Sequence, residues 1–288
     1  MIIVQLKGGL GNQLFQYAAA LHLGIHHKVP VKVDISLLNT QDRLIGTHRT
    51  FDLLSIKEPP IVASTDEIKK IKGNSFFTYF QKRLPAHKRN QYKEVDYTYD
   101  FHFLDAGNNI YLKGYRQSEK YFSPISDYLK NAFSINENLV TDVSMIHNQM
   151  KSELSVAVHI RRGDYKNLSV LEFHGILDID YYKQAIRKIQ TLHPTSTFYF
   201  FSDDINWVKN HLSIDNSVCI DSQISKSSIS DFYLISSCQH QIIANSTFSW
   251  WAAYLNPNPN KIVIAPKKWF NSAPNNTKDL FPADWITL

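Results

Sequence analysis

Ser155-Val156-Ala157-Val158-His159-Ile160 runs straight into Arg161-Arg162-Gly163-Asp164, and this junction decides the fold. A largely apolar run without apolar–polar alternation marks a strand covered on both faces, as strands of parallel sheets are. Four more runs of this kind follow, at 197–201, 217–220, 241–244 and 261–265. Helical patterns separate most of them. Asp180 opens one as an acidic N-cap, with apolar residues at 182, 186 and 189 on one face, and the segments starting at Ser230 and Ser249 supply two more. Strands alternating with helices make a doubly wound α/β half.

Working outward, polar clusters stand just past the carboxyl ends of three of these strands. They are His159 with Arg161, Arg162 and Asp164; Ser202 with Asp203 and Asp204; and Asn245-Ser246-Thr247-Phe248-Ser249. Ligands of open α/β sheets bind outside the carboxyl strand ends near a switch point, so the three clusters are expected to converge on one crevice. A guanidinium past a strand end can fork two N–H bonds onto a phosphate. The alternative is a salt bridge from Arg161 or Arg162 to Asp164 or Asp203, although two arginines beside one acid leave net positive charge. Asn245 to Thr247 offers hydroxyls and helix N–H groups to an anion, or simply an N-cap to the helix of Trp250 and Trp251. Asp203 and Asp231 could accept ribose hydroxyls or a guanine N1–H and N2–H₂ edge, or serve as ordinary N-caps.

The first half opens in the same way. Ile2 to Leu6 is a bare strand leading through Lys7-Gly8-Gly9-Leu10-Gly11-Asn12-Gln13 into a helix over Leu14 to His22. Glycines at 8, 9 and 11 permit positive φ and close backbone approach to a phosphate or sugar-phosphate at the helix mouth. A tight turn needed for packing alone is the other reading. Val29 to Asp34 and Asn109 to Tyr115 are further strands, the latter followed by a helix to about Phe133. The region 64–105 lacks periodicity and reads as helices and loops whose lysines and aromatics are solvated faces and local packing. The polar stretch 134–152 is the expected boundary.

Composition narrows the classes. A net charge of +5 and pI ≈ 8.9 suit an anionic small ligand or weak attraction to an acidic membrane surface. They fall short of a nucleic-acid footprint. Cys219 and Cys238 show neither CxxC spacing nor a nearby histidine ladder, so zinc and a disulfide framework are not indicated. Met1 leads directly into a strand with no basic leader, and no apolar stretch is long enough to span a bilayer. The cytoplasm is the expected compartment. The first loop has no Gly-Lys-Ser/Thr, which excludes a P-loop kinase or sulfotransferase.

The ordered set of Gly8 to Tyr17, Gly114 to Phe122, His159 to Tyr165, His174-Gly175 ahead of Asp180-Tyr181-Tyr182, Phe200 to Asp204 and Asn245 to Trp251 resembles the α-1,2-fucosyltransferases of glycosyltransferase family 11. Arg116 is a departure, standing where related sequences more often carry an aromatic residue.

The resemblance implies an α/β fold of GT-B type, two Rossmann-like domains facing a cleft. Residues 1–150 would form the acceptor-side domain and 151–288 the GDP-fucose-binding domain, with the last ~15 residues able to pack back on the first. It implies inverting transfer of L-fucose from GDP-β-L-fucose to the 2-hydroxyl of a terminal β-galactoside, in an O-antigen, capsule or oligosaccharide. No metal and no other cofactor are expected. A noncatalytic nucleotide-sugar or glycan-binding relative, and a fucosyltransferase of different linkage, are the alternatives. The implied partners are GDP-fucose and a galactose-terminated glycan, with no nucleic acid, no transmembrane segment, and peripheral contact at the inner face of the membrane left open.

Carried over residue by residue, Arg161, Arg162 and Asp164 form the catalytic set, with Arg161 on the β-phosphate. Gly9, Gly11, Asn12, His159, Ser202, Asp203, Asp231, Asn245, Ser246, Thr247 and Phe248 join Arg161 in binding the donor. Tyr115, Gln117 and His174 face the acceptor. A general base is not singled out among Asp34, Glu119 and His174. Asp178-Ile179-Asp180 has the form of a metal-binding DxD, but its place before Tyr181 favours helix capping.

Overall fold

Two all-parallel sheets, each with its earliest strand near the middle, set the architecture of the chain. The computed structural model describes residues 1–40, 49–73, 81, 83–162, 175–271 and 277–288, so Gly163, Asp164 and His174 lie outside the described residues. The chain divides into two units, residues 1–133 with 276–282 and residues 134–275 with 283–288.

In the first unit, β1 (Ile2–Gln5), β2 (Val31–Asp34), β3 (Ile61–Val62), β4 (Gln91–Lys93) and β5 (Ile110–Lys113) stand in the order β3-β2-β1-β5-β4. Helix α1 (Leu10–His27) follows β1 and buries most of its length, including Leu14, Phe15, Ala18, Ala19 and Leu23. Gly24 faces Val31 so closely that an added Cβ would stand 2.2 Å from its Cγ2, which keeps α1 tight on β2. The helix begins at Leu10, four residues before the expected start, because Gly9 already serves as N-cap. Gly11 therefore belongs to the first helical turn and not to the loop. The edge strands β3 and β4 lie in or beside the stretch without periodicity; two or three residues are too short to show a period of two.

The second unit has the order β11-β10-β9-β6-β7-β8, built from β6 (Ser155–Ile160), β7 (Thr197–Ser202), β8 (Ser217–Ile220), β9 (His240–Ile242), β10 (Val263–Ala265) and β11 (Ile286–Thr287). All six residues of β6 are buried, the polar Ser155 and His159 together with the four apolar ones. Helix α2 (Ile179–Leu192) packs Tyr182, Ala185, Ile186 and Ile189 against Val156, Val158, Phe198 and Phe200. Each large side chain contributes about 1.5–3 kcal/mol by burial. The Tyr181 hydroxyl donates to the carbonyls of Ile243 (2.7 Å) and Ile264 (3.1 Å), fixing α2 to the ends of β9 and β10. The N-cap of α2 is Asp178, not Asp180: its carboxylate accepts the Asp180 N–H at 2.9 Å. That also gives the DxD pattern a structural use.

In 134–152 the structure has a helix, α3 (Ser144–Ser152), whose Met150 is buried beside Cys238. Both cysteines are free thiols. Among the described residues, no helix is long and apolar enough to cross a membrane.

Candidate active site

Strand order in the second unit reverses between β6 and β9, and the residues beyond these two strands meet there. Register pairs Ile160 with Ser202, so Arg161 and Asp203 leave their strands side by side. Asp203 forms an ion pair with Arg161, one carboxylate oxygen 3.2 Å from Nε, and accepts the Arg162 backbone N–H at 2.8 Å on the other. The salt bridge considered for Arg161 thus exists, and it fixes where the guanidinium sits. Arg162 lays its guanidinium 3.8 Å from the centre of the Trp207 ring, a cation–π contact, while its buried Nε has no hydrogen-bond partner among the described residues. Trp207 carries no signal in sequence, because the stack joins a strand end to α4 (Ile205–His211) across a loop.

Neither candidate carboxylate caps a helix. Asp204 caps α4 by accepting the Trp207 N–H, and its own N–H donates to Ser202 Oγ at 3.0 Å. Ser227 caps α5 (Ser228–Ser237), leaving Asp231 within the first turn. Burial pushes the Asp231 carboxyl up to about 6, Ser225 opposes that through a hydrogen bond, and nearby Asp142 adds to it. His159 is buried, and burial followed by the neighbouring Arg161 charge pushes it down to about 3. A neutral imidazole results, with Nδ1 buried and unpartnered among the described residues. Such an atom is a place for a ligand's polar group. Phe248 links these parts, 5.6 Å from the His159 ring and 5.2 Å from Phe232, the neighbour of Asp231.

At the end of β9, buried Asn245 donates its amide to the carbonyls of Gly175 (3.2 Å) and Trp269 (3.3 Å), a structural anchor for two loops. Ser246 caps α6 (Thr247–Leu255) by accepting the Phe248 N–H at 3.3 Å. The Thr247 hydroxyl, in the first position of that helix, makes no hydrogen bond among the described residues. Capping and anion binding coexist at a helix N-terminus.

The first unit has its own reversal, between β1 and β5. Gly8 takes φ +79°, and the Asn12 amide occupies the space its Cβ would need, at 2.5 Å. Gln13 Nε2 donates to the carbonyls of Gly8 (2.9 Å) and Thr50 (2.8 Å), and Gln16 exchanges two bonds with the Lys7 backbone. Past β5, Gln117 Nε2 donates to Asn12 Oδ1 at 2.9 Å, and its buried Oε1 is unpartnered among the described residues. Tyr115 carries Lys7 Nζ 3.8 Å over its ring. Glu94, a residue no sequence signal marks, accepts the backbone N–H groups of Tyr115 (2.5 Å) and Arg116 (2.7 Å). Arg116 turns at φ +51° and points its guanidinium inward, onto the carbonyls of Lys113 (3.1 Å) and Tyr92 (3.3 Å).

Among the base candidates, Asp34 is buried and accepts from the Tyr111 hydroxyl and the Ser36 N–H, with Lys72 at 3.5 Å. Burial raises its pKa, but these partners outweigh it and hold the carboxyl below its usual range. That commits Asp34 to the sheet. Glu119 begins a single 3-10 turn, half-buried.

A chain with paired arginines at one switch point and an amide cluster at another also matches the family described as Glycosyl transferase family 11, over residues 1–288. The chain belongs to glycosyltransferase family 11. It is 34% identical to the Escherichia coli O-antigen biosynthesis glycosyltransferase WbnK, covering 98% of this chain and 99% of that one. It is 31% identical to an Escherichia coli alpha-1,2-colitosyltransferase over 100% and 99% of the two chains. A galactoside 2-alpha-L-fucosyltransferase of Caenorhabditis elegans is 29% identical over 100% of this chain and 79% of its own length. Among solved structures, fucosyltransferase NodZ from Bradyrhizobium shares the fold at a TM-score of 0.52, with 14% identity over 89% and 93% of the chains. The chain is therefore a glycosyltransferase with a GT-B-type fold of two Rossmann-like sheets.

Proposed function

We propose that this family 11 glycosyltransferase transfers L-fucose from GDP-β-L-fucose to the 2-hydroxyl of a terminal β-galactoside, with inversion and without a metal ion. The observation that carries this reading is the pair of guanidinium groups beyond β6, one held by Asp203 and one stacked on Trp207. As the fucosyl C–O bond breaks, negative charge grows on the β-phosphate, and a fixed cation stabilises that state more than the ground state. Arg161 takes the β-phosphate and Arg162 supports it. Ser246, Thr247 and the N-terminus of α6 take the remaining phosphate oxygens, and His159 and Asp231 take the guanine. Tyr115 and Gln117 receive the galactoside. The relatives named for alpha-1,2 or 2-alpha linkages support the choice of hydroxyl.

The test is GDP release from GDP-fucose with N-acetyllactosamine, followed by NMR of the product linkage. Turnover should persist in EDTA, and a loss restored by manganese would remove the metal-free reading. Binding of GDP-fucose without turnover on any galactoside would instead identify a noncatalytic relative.

The colitosyltransferase relative raises a second reading of the donor. Colitose is fucose without its 3-hydroxyl, so the same grip on GDP would serve either sugar. A site that hydrogen-bonds that hydroxyl rejects the deoxy donor by orders of magnitude, whereas an apolar wall would not. Comparing kcat/KM for GDP-fucose and its 3-deoxy analogue decides between them.

A further inference from the structure

A cavity of about 250 Å³ opens in the first unit, past the ends of β4 and β5, walled by residues 92, 94–96, 98–102, 116 and 121. It lies in the stretch without periodicity and uses none of the donor-binding groups. We propose that it is a saccharide subsite, taking a neutral pyranose of the acceptor glycan beyond the galactose that receives the sugar.

Four features support this. Phe101 is 82% exposed at the rim, its ring set edge-on to Tyr99 at 5.1 Å, an apolar surface onto which the C–H face of a pyranose can stack. The rim is rigid: Asp279 accepts the Tyr99 N–H at 3.0 Å and also an ammonium bond from Lys120. Inside, Arg116 is 1% exposed and lines the cavity, while its hydrogen bonds to Lys113 and Tyr92 use two of a guanidinium's five N–H donors. Asp96 lines it too, and one of its oxygens accepts both the N–H and the hydroxyl of Thr98. Hydroxyl groups both donate and accept, and this lining offers donors and acceptors beside an aromatic ring.

Charge selects among ligands. Glu94, Asp96 and Asp100 against the single Arg116 repel phosphates and acidic sugars. A bare cation is equally poorly served, because backbone N–H groups already bond each of these carboxylates. A neutral polyol is left. The subsite is joined to the acceptor turn through covalent sequence and through Glu94, since Arg116 stands between Tyr115 and Gln117 and Glu94 holds the N–H groups of Tyr115 and Arg116. An occupied cavity would thus stiffen the turn that carries the proposed galactose contacts.

The inference rests on the fucosyltransferase reading, and the experiment separates the two. Steady-state kinetics would compare methyl β-galactoside with lacto-N-neotetraose as acceptors, for the wild type and for Phe101→Ala and Asp96→Asn. The tetrasaccharide should show a KM at least about tenfold lower than the monosaccharide in the wild type, as one stacked ring and one hydrogen bond would give. In both variants that advantage should shrink several-fold, with kcat, the KM for GDP-fucose and the monosaccharide kinetics unchanged. Equal KM values in the wild type, or an advantage that survives both substitutions, would overturn the subsite. If no acceptor releases GDP, the functional reading fails and saturation-transfer NMR of the tetrasaccharide without donor still decides the cavity. Contacts on the inner rings that vanish in Phe101→Ala support it, and their absence or persistence refutes it.

Discussion

The ends of β6 and β1 hold corresponding positions in two sheets of the same construction, each beside a reversal of strand order, yet they present opposite chemistry. Around the ends of β6 and β9 stand two arginines, a neutral buried histidine near the end of β6 and the helix N-terminus that follows β9. Beyond β1 and β5 stand a glycine turn, Asn12 and Gln117 joined amide to amide, and a tyrosine under a lysine. The first set is suited to a diphosphate whose charge changes during reaction. The second is suited to neutral hydroxyls, which need direction more than charge. On the proposed function, one topology would serve two ligand classes, and the residues past the strand ends would make the difference.

The sharpest way to break this contrast is Arg161→Ala. Removing a preorganised charge from the leaving group should lower kcat by about a hundredfold to a thousandfold, with unchanged circular dichroism. A variant that keeps its kcat and loses only donor affinity would make Arg161 a binding group with no part in charge development. Next in size is Gly114→Ala. Gly114 has φ +127°, and an added Cβ would stand 2.3 Å from the Cβ of Glu94. The expected loss is about 1–3 kcal/mol of stability by thermal or urea unfolding, and an unchanged midpoint would show that Glu94 can yield. Smaller again, Gln117→Ala should raise the acceptor KM about tenfold, the worth of a lost hydrogen bond or two, while the donor KM stays put. An effect on the donor alone would move Gln117 to the other side of the comparison.

The two regions also differ in how much of them the sequence shows. In the second unit the β6 run is legible because burial on both faces demands a largely apolar string without alternation, and the polar residues that end it mark the expected ligand side. His159 and Arg161 are site candidates for that reason, and Ser246 for its place past β9. The pairing of Arg161 with Asp203 was one option among several, since strand register is set by long-range packing. In the first unit the signal fades. Strands β3 and β4 have two and three residues, and Glu94 is a lone carboxylate whose importance comes from the backbone N–H groups it meets after folding. The aromatics of 92–101 read as local packing, whereas the structure places several of them around a cavity. Helix starts moved by a few residues where a glycine or an earlier aspartate could cap, because several residues compete for each cap and only the folded chain selects one.

Asp231 offers the smallest effect and the most specific signature. Its carboxyl, pushed up to about 6 by burial with Asp142 adding and Ser225 opposing, is mostly ionised at pH 7. If the carboxylate accepts guanine N–H groups, donor affinity falls as protons return. The expected rise in KM for GDP-fucose is about fourfold between pH 7 and pH 5.5, and Asp231→Asn should flatten the profile. Stability runs the other way. A carboxyl whose folded pKa lies above its unfolded value destabilises the fold when ionised, so the wild type should gain stability relative to Asp231→Asn as pH falls through about 6 toward the unfolded pKa of about 4. His159 cannot mimic this, since it stays neutral until about pH 3. Donor affinity that falls while relative melting temperature rises on acidification, both erased by one substitution, would tie the guanine to Asp231. A KM profile that survives the substitution would place the titrating group elsewhere and weaken the charged half of the comparison.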